Sequence, residues 1–280
     1  MRISKTPVFL YLLVLATMLI QGCSSTKPVH PTLQATLWVQ NAVEFDALAS
    51  MSYQTAETKL REALMDKSWT AELTQVDADI QELPPAVVLD IDETVLDNSP
   101  YQARMVQKGS GYDPVEWEKW VLEANADAIS GAVSFTNRAA DEGITVIYLS
   151  NREANTEEAT RKNLEALGFP VSDETDVVLL KNELPEWTSS KVERRKHVAA
   201  SFRILMLFGD DFNDFLPAKN ISEKERDNLL ETYRTNFGAK WFILPNPIYG
   251  SWDQALYNFE RNLSDEEKSD IIDAHLHTKN

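Results

Sequence analysis

Five short apolar runs punctuate this chain, at 86–89, 144–149, 177–180, 204–208 and 241–244, and each ends in polar or turn-forming residues. Runs of that length bounded by turn formers predict buried strands. Helical patterns fill the intervals. Asp113-Pro114 predicts a helix start, with Asp as N-cap and Pro in the first position, and Trp117 and Trp120 follow at helical spacing. A second helix is bracketed by Gly131 and Gly143, a third covers 157–167 and ends at Gly168, and a fourth covers 189–201. Ahead of the first strand, 33–66 contains no Gly or Pro and carries Leu37, Val43, Leu48, Met51 and Leu60 among polar positions. This spacing predicts one long or two shorter amphipathic helices, with Trp38, Phe45 and Tyr53 as core. Pro84 and Pro85 close that part, and a charged stretch from about Leu263 predicts a peripheral helix with a loose tail.

Strands alternating with helices indicate an α/β fold with a parallel sheet. Right-handed crossovers leave the carboxyl ends of the strands on one edge, where open α/β sheets bind ligands. That edge collects Asp90, Asp92, Ser150, Asn151, Asp210 and Asp214 from three different strands. The expected organisation is a helical segment at 33–83, a sheet core at 84–252 and a C-terminal helix and tail at 253–280.

The N-terminus reads as a targeting segment. Arg2 and Lys5 precede an apolar run at 8–20 that is short for a bilayer span. It ends Ile20-Gln21-Gly22-Cys23, which resembles a bacterial lipoprotein signal, so 1–22 is expected to be removed, Cys23 lipidated (palmitate among its acyl chains) and 23–32 left as a tether. Ser24 after the cysteine favours the outer membrane in such lipoproteins. Cys23 is the only cysteine, so no intramolecular disulfide forms. The competing reading is an ordinary cleaved signal peptide.

A formal charge of −17, from 44 acidic and 27 basic residues, argues against nucleic-acid polymers and against an anionic bilayer surface beyond a lipid anchor. A small phosphate ligand remains compatible, because a divalent cation inverts the local sign. Carboxylates crowded on one edge repel unless a cation sits among them. Oxygen-only donors point to Mg²⁺ rather than zinc, and His30, His197, His275 and His277 form no ligand pattern. A carboxylate can attack phosphorus to give an aspartyl-phosphate when a cation, donors for the phosphate oxygens and a proton donor surround it. This sequence supplies each part.

DIDET at Asp90, Ser150 after the second strand, Lys191 in a crossover helix and GDDFND at Asp210 resemble, in type and order, the four motifs of haloacid-dehalogenase-type phosphatases. More narrowly, WVQNAVEF near Trp38, DETVLDNSPY, WEKW at Trp117, SNR at Ser150, SSK at Lys191 and LPNPIYGSWD resemble the class C acid phosphatases, bacterial outer-membrane lipoproteins that act as 5′-nucleotidases. The resemblance implies a Rossmann-like parallel sheet and a set of roles. Asp90 would be the nucleophile, and Asp92 the general acid and then base, giving its backbone carbonyl to the metal. Ser150 and the Asn151 amide would hold phosphate oxygens, Lys191 would neutralise nucleophile and phosphate, and Asp210 would ligate Mg²⁺ with Asp90 and Asp92. Asp214 would lie behind that shell, orienting a metal water or Lys191, with a helix-cap acid as the alternative. Asp211 is left as an extra outer acid or a turn residue. The room between Ser150 and Lys191 holds one helix and one strand, so no large cap sits there and the insert around Trp117 must shape the pocket. Trp117 and Tyr249 are expected to stack on a base, with Trp252 undecided between stacking and core. The function implied is Mg²⁺-dependent hydrolysis of nucleoside 5′-monophosphates. Sugar or aryl phosphates, or an inactive ligand-binding lipoprotein, are the alternatives, and a homodimer is left open.

Overall fold

The central strand is the one whose sequence is most uniformly apolar. Ala86, Val87, Val88 and Leu89 of β1 (Pro85–Leu89) are all buried, as expected of a parallel strand covered on both faces. In the computed structural model, which describes residues 29–172, 174–260 and 262–279, β1 is flanked by β4 (Thr145–Glu153) and β6 (Arg203–Gly209). β5 (Val178–Lys181) and β7 (Trp241–Ile243) complete a parallel sheet of order β5-β4-β1-β6-β7. The order reverses beside β1, which makes that strand end the topological switch point where such sheets bind ligands. Leu89 pairs with Tyr148 and with Phe208, so Asp90 emerges level with Leu149 of β4 and with Gly209, the last residue of β6. The expected signal at 1–22, the lipidation site Cys23 and most of the tether lie outside the described residues.

The residues Thr32–Asn280 form one unit. Its N-terminal part is two helices, α1 (Leu33–Asn41) and α2 (Val43–Met65), broken at an extended Ala42. Phe45 and Tyr53 are buried and Trp38 packs edge-on to Phe45 with ring centres 5.8 Å apart, as expected of core aromatics. Helix α3 (Ser99–Lys108) follows the acidic loop, and α4 (Pro114–Glu123) starts as predicted, with the Asp113 carboxylate accepting from the N–H groups of Val115 at 2.8 Å and Glu116 at 3.1 Å. Helices α5 (Ala132–Asp141), α6 (Glu157–Ala166) and α7 (Val192–Ala199) are the crossovers. The chain continues through α8 (Glu223–Tyr233), α9 (Ser251–Leu256) and the peripheral α10 (Asp265–His275). Among the described residues no helix is long and apolar enough to cross a membrane.

Of the apolar positions expected to line the N-terminal helices, Leu60 is buried whereas Leu37, Val43, Leu48 and Met51 are exposed, and three further features depart from the sequence pattern. The second strand does not stop at Ser150 but runs on to Glu153, because Glu153 pairs with Lys181 of β5. Helix α8 has no buried residue, so no apolar stripe announced it; a capping box between Ser222 and Glu225 starts it instead. A small antiparallel ribbon, β2 (Leu96–Asp97) with β3 (Asp127–Ala128), clamps the two ends of the α3–α4 insert. Its strands are too short to leave a periodic signal.

Candidate active site

Where β1 ends, the Asp90 N–H donates to the Phe208 carbonyl at 3.0 Å and the chain turns sharply, the Ile91 carbonyl accepting from Val95 and Leu96, both at 2.9 Å. Glu93 in this turn has φ +57, an uncommon state for a side-chain-bearing residue. Its buried carboxylate accepts from the Asn98 N–H at 3.1 Å and from the Tyr249 hydroxyl. Burial, with the charges of Asp92 and Asp97 added, holds the Glu93 carboxyl well above the usual range. Tyr53 of α2 donates to the Thr94 carbonyl at 2.7 Å, so the N-terminal helices brace the same loop.

Asp90 and Asp92 meet different surroundings. The Asp90 carboxylate pairs with the Lys191 ammonium and accepts a long bond, 3.4 Å, from the Thr94 hydroxyl. Asp92 Oδ1 accepts from Arg152 Nε and Asn98 Nδ2, both at 2.9 Å, and its Oδ2 accepts from the Ser150 hydroxyl at 3.0 Å. Lys191, at the start of α7, also reaches Asp214 Oδ1 at 2.5 Å. Burial opposes its charge, but Asp214 and Asp90 outweigh that and raise its pKa.

The end of β6 supplies the remaining acids. Asp210 Oδ2 accepts from Asn246 Nδ2 at 2.7 Å. Asp211 turns out to be a turn residue: its Oδ1 accepts from the Asn213 N–H at 2.9 Å and the Ser251 hydroxyl at 2.6 Å, tying the loop to α9. Asp214 Oδ2 accepts from the Asp211 N–H at 3.0 Å, so Asp214 is at once a cap and a partner of Lys191. Gly209 is required by this packing, since a Cβ there would lie 2.2 Å from Asp214 Oδ2.

One carboxylate oxygen each from Asp90, Asp210 and Asp214 falls within 4.8 Å of the others, the cluster of metal-holding geometry among the described residues. Burial is the largest influence on all three and pushes them up; Lys191 offsets this in part at Asp90 and Asp214, while neighbouring carboxylates add to it. A crowded, oxygen-only set of this kind fits a hard divalent cation. The Asp92 carboxyl is not in the cluster: Arg152, Asn98 and Ser150 hold it on the other side.

The remaining predicted residues are placed as follows. Ser150 is fully buried, donating to Asp92 and accepting from the Arg152 N–H at 3.0 Å. The Asn151 side chain is engaged with its neighbours, donating to the Ser189 carbonyl at 3.1 Å and accepting from Arg194 at 2.6 Å. Trp117 is half-buried, edge-on to Tyr101 at 5.1 Å, with the exposed Tyr112 ring at 6.4 Å and the Arg152 guanidinium 6.0 Å over its face. Tyr249 is held by Glu93, and Trp252, 40% exposed, donates its indole N–H to the Tyr249 carbonyl at 3.3 Å rather than entering the core. His197 lies against Trp187, with ring centres 5.2 Å apart. Sequence reasoning assigned nothing to Glu93, Asn98, Arg152 or Arg195. The first three stand inside motifs it quoted; Arg195, which donates to Glu72 at 3.0 Å and to the Asp214 carbonyl at 3.1 Å, sits in a charged stretch that looks solvent-facing.

Residues 19–252 match the family model described as HAD superfamily, subfamily IIIB (Acid phosphatase). The chain belongs to this family. Among solved structures similar to this subfamily IIIB chain is the class C acid phosphatase from Bacillus anthracis, with a TM-score of 0.78 and 37% identity, covering 90% of this chain and 99% of that one. The same enzyme with tungstate bound gives a TM-score of 0.79 at 37% identity and the same coverage. These matches bear out the class C resemblance read from the motifs. Curated relatives are more distant: "Acid phosphatase 1" of Solanum lycopersicum is 29% identical over 165 residues, 58% of this chain and 57% of that protein. The "Stem 28 kDa glycoprotein" of Glycine max is 26% identical over 167 residues, 58% of each chain. The chain thus spans little more than half the length of the curated relatives it matches.

Proposed function

We propose that this chain is a Mg²⁺-dependent phosphomonoesterase that hydrolyses nucleoside 5′-monophosphates through an aspartyl-phosphate on Asp90. The observation that carries the reading is the division of labour between two aspartates separated only by Ile91: Asp90 faces a lysine and two further acids, whereas the Asp92 carboxyl is held outside that cluster. Tungstate, found in the Bacillus anthracis class C enzyme, is a tetrahedral oxyanion of phosphate shape and supports a phosphate site here. Asp90, Asp210 and the Asp92 carbonyl would hold a divalent cation, with Asp214 close by, and the ion would supply charge neutralisation for nucleophile and phosphate.

The chain's own groups do the rest. An Asp90 carboxylate oxygen forms a bond to phosphorus as the ester P–O bond breaks, and Asp92 gives its proton to the departing oxygen. Asp92, now ionised, takes a proton from water while the water oxygen bonds to phosphorus and the Asp90–phosphorus bond breaks. Lys191 offsets the charge gathered at Asp90, and Ser150 and Asn151 contact phosphate oxygens. Trp117 and Tyr249 offer faces for a planar base, stacking worth about 1–3 kcal/mol per base. Asp90→Asn should abolish trapping of labelled phosphate on the protein. Asp92→Asn should impair an alkyl phosphate more than a nitrophenyl phosphate, which needs almost no proton. Equal turnover with and without chelator would overturn the metal requirement, and a screen in which sugar or aryl phosphates outpace nucleotides would overturn the substrate.

Lipid anchorage at Cys23 in the outer membrane belongs to the same proposal and rests on the signal-like sequence alone. Cys23→Ala should move the protein from the membrane to the soluble fraction; unchanged fractionation would place the anchor elsewhere.

A further inference from the structure

We propose that Arg152 and Asn98 are positioning residues which hold the Asp92 carboxyl so that Oδ2, and not Oδ1, exchanges the proton with the leaving group and with water. The inference rests on the reading of Asp92 as proton donor and deepens it.

Both donors to Oδ1 are fixed in that role. A guanidinium has no acceptor, so Arg152 Nε, 2.9 Å from Oδ1, can only donate. The Asn98 amide is oriented by Trp120, whose indole N–H donates to Asn98 Oδ1 at 2.7 Å. An indole nitrogen never accepts, so the Asn98 oxygen must face it and the NH₂ group must face Asp92, at 2.9 Å. An oxygen met by two N–H groups, one of them cationic, has no place for a proton of its own.

Oδ2 differs. Its protein contact is the Ser150 hydroxyl at 3.0 Å, a group that donates or accepts by rotating. With Oδ2 ionised, Ser150 donates to it. With Oδ2 protonated, Ser150 can turn its hydrogen elsewhere, a phosphate oxygen included. Exchange of the two carboxylate oxygens by rotation is blocked while both N–H groups sit on Oδ1.

The holders are themselves immobile. Arg152 is 2% exposed, its NH1 donates to the Thr160 hydroxyl at 3.1 Å and the Trp117 ring covers the guanidinium. Asn98 is fully buried, and its own N–H is held by Glu93. The strained Glu93 turn, Asn98, Trp120, Arg152 and Trp117 thereby form one rigid mount for a single carboxyl group.

The test measures kcat and KM of Arg152→Met, Arg152→Lys and Asn98→Ala on an alkyl phosphate and on 2,4-dinitrophenyl phosphate, whose leaving group departs unprotonated, with Asp92→Asn in parallel. The expected result for Arg152→Met is a fall in kcat of roughly 100-fold on the alkyl ester and of less than about 5-fold on the dinitrophenyl ester, with KM unchanged. Arg152→Lys, which keeps the charge but loses the fork, falls between. Equal losses on both esters in folded variants overturn the proposal and leave Arg152 as packing. Should Arg152→Met fail to fold, the same ester ratio in Asn98→Ala decides, a changed ratio supporting and an unchanged ratio overturning it. If Asp92→Asn itself shows no dependence on the leaving group, the proton-donor reading falls and this inference with it. A selective Asp92→Asn beside unselective Arg152 and Asn98 variants overturns this inference alone.

Discussion

Asp90 and Asp92 stand at the same strand end, and what separates them is the charge each one meets. Lys191 stands against Asp90 and Arg152 against Asp92, and both cations are buried, so each carboxylate is a partner its neighbour cannot do without. Such pairs leave no spare room. Gly209 shows how tight the arrangement is, since the Asp214 carboxylate occupies the space where a Cβ would be. Gly209→Ala should therefore displace Asp214 from Lys191, cost about 1–3 kcal/mol of stability and lower activity at least tenfold by disturbing the acid cluster. Urea unfolding together with turnover at saturating Mg²⁺ checks this; a stable, fully active variant would mean that Asp214 can move without consequence.

At the scale of elements, the N-terminal helices are fastened to the sheet by polar contacts as well as by their apolar faces. Arg203, at the start of β6 and 1% exposed, donates through NH1 to the carbonyls of Ala63 at 3.0 Å, Asp66 at 2.8 Å and Trp69 at 3.2 Å, and through NH2 to Leu64 at 3.3 Å. Those of Ala63, Leu64 and the C-cap Asp66 are the open carbonyls where α2 ends, and a cation there completes the helix and favours its dipole. Arg203→Met should leave several of them buried without a donor and destabilise the protein by about 2–4 kcal/mol. Because Arg203 lies at the opposite end of β6 from Asp210, KM on the surviving folded protein should be unchanged. Chemical denaturation and steady-state kinetics on the same preparation separate the two effects, and a KM change would show that α2 reaches the site through more than Tyr53.

For the molecule as a whole, the acid cluster links protons to stability and, under the proposed function, both to metal binding. Asp90, Asp210 and Asp214 have raised pKa values, burial being the first cause. In the metal-free protein the folded state therefore keeps protons that the unfolded chain has already lost, and stability falls as pH rises from the ordinary carboxylate range through the raised one. A divalent cation needs these groups ionised, so Mg²⁺ should bind more tightly as pH rises and release protons as it does so. Calorimetric titration at two pH values, each in buffers of different ionisation enthalpy, measures both; affinity independent of pH with no proton release would remove the cluster as the metal site. Much of this plan was legible in the sequence. Apolar runs ending in acids established the parallel sheet and its ligand edge, because burial on both faces leaves no polar position in such strands and the first polar residue marks where each one ends. Asp90, Asp92, Ser150 and Asp210 follow from the same reading as strand-end residues, whereas Lys191, at the start of a crossover helix, was supplied by the motif resemblance. What the linear order left open was settled by contacts between residues far apart in it. Asp211 became a turn residue through Ser251, Asp214 joined the cluster through Lys191, and the strand past Ser150 was extended by Lys181. Buried arginines were invisible for a physical reason: a charge in a polar stretch reads as solvent-facing until the fold brings Asp92 to Arg152 and Glu72 to Arg195, and only a partner 60 or 123 residues away makes its burial tolerable.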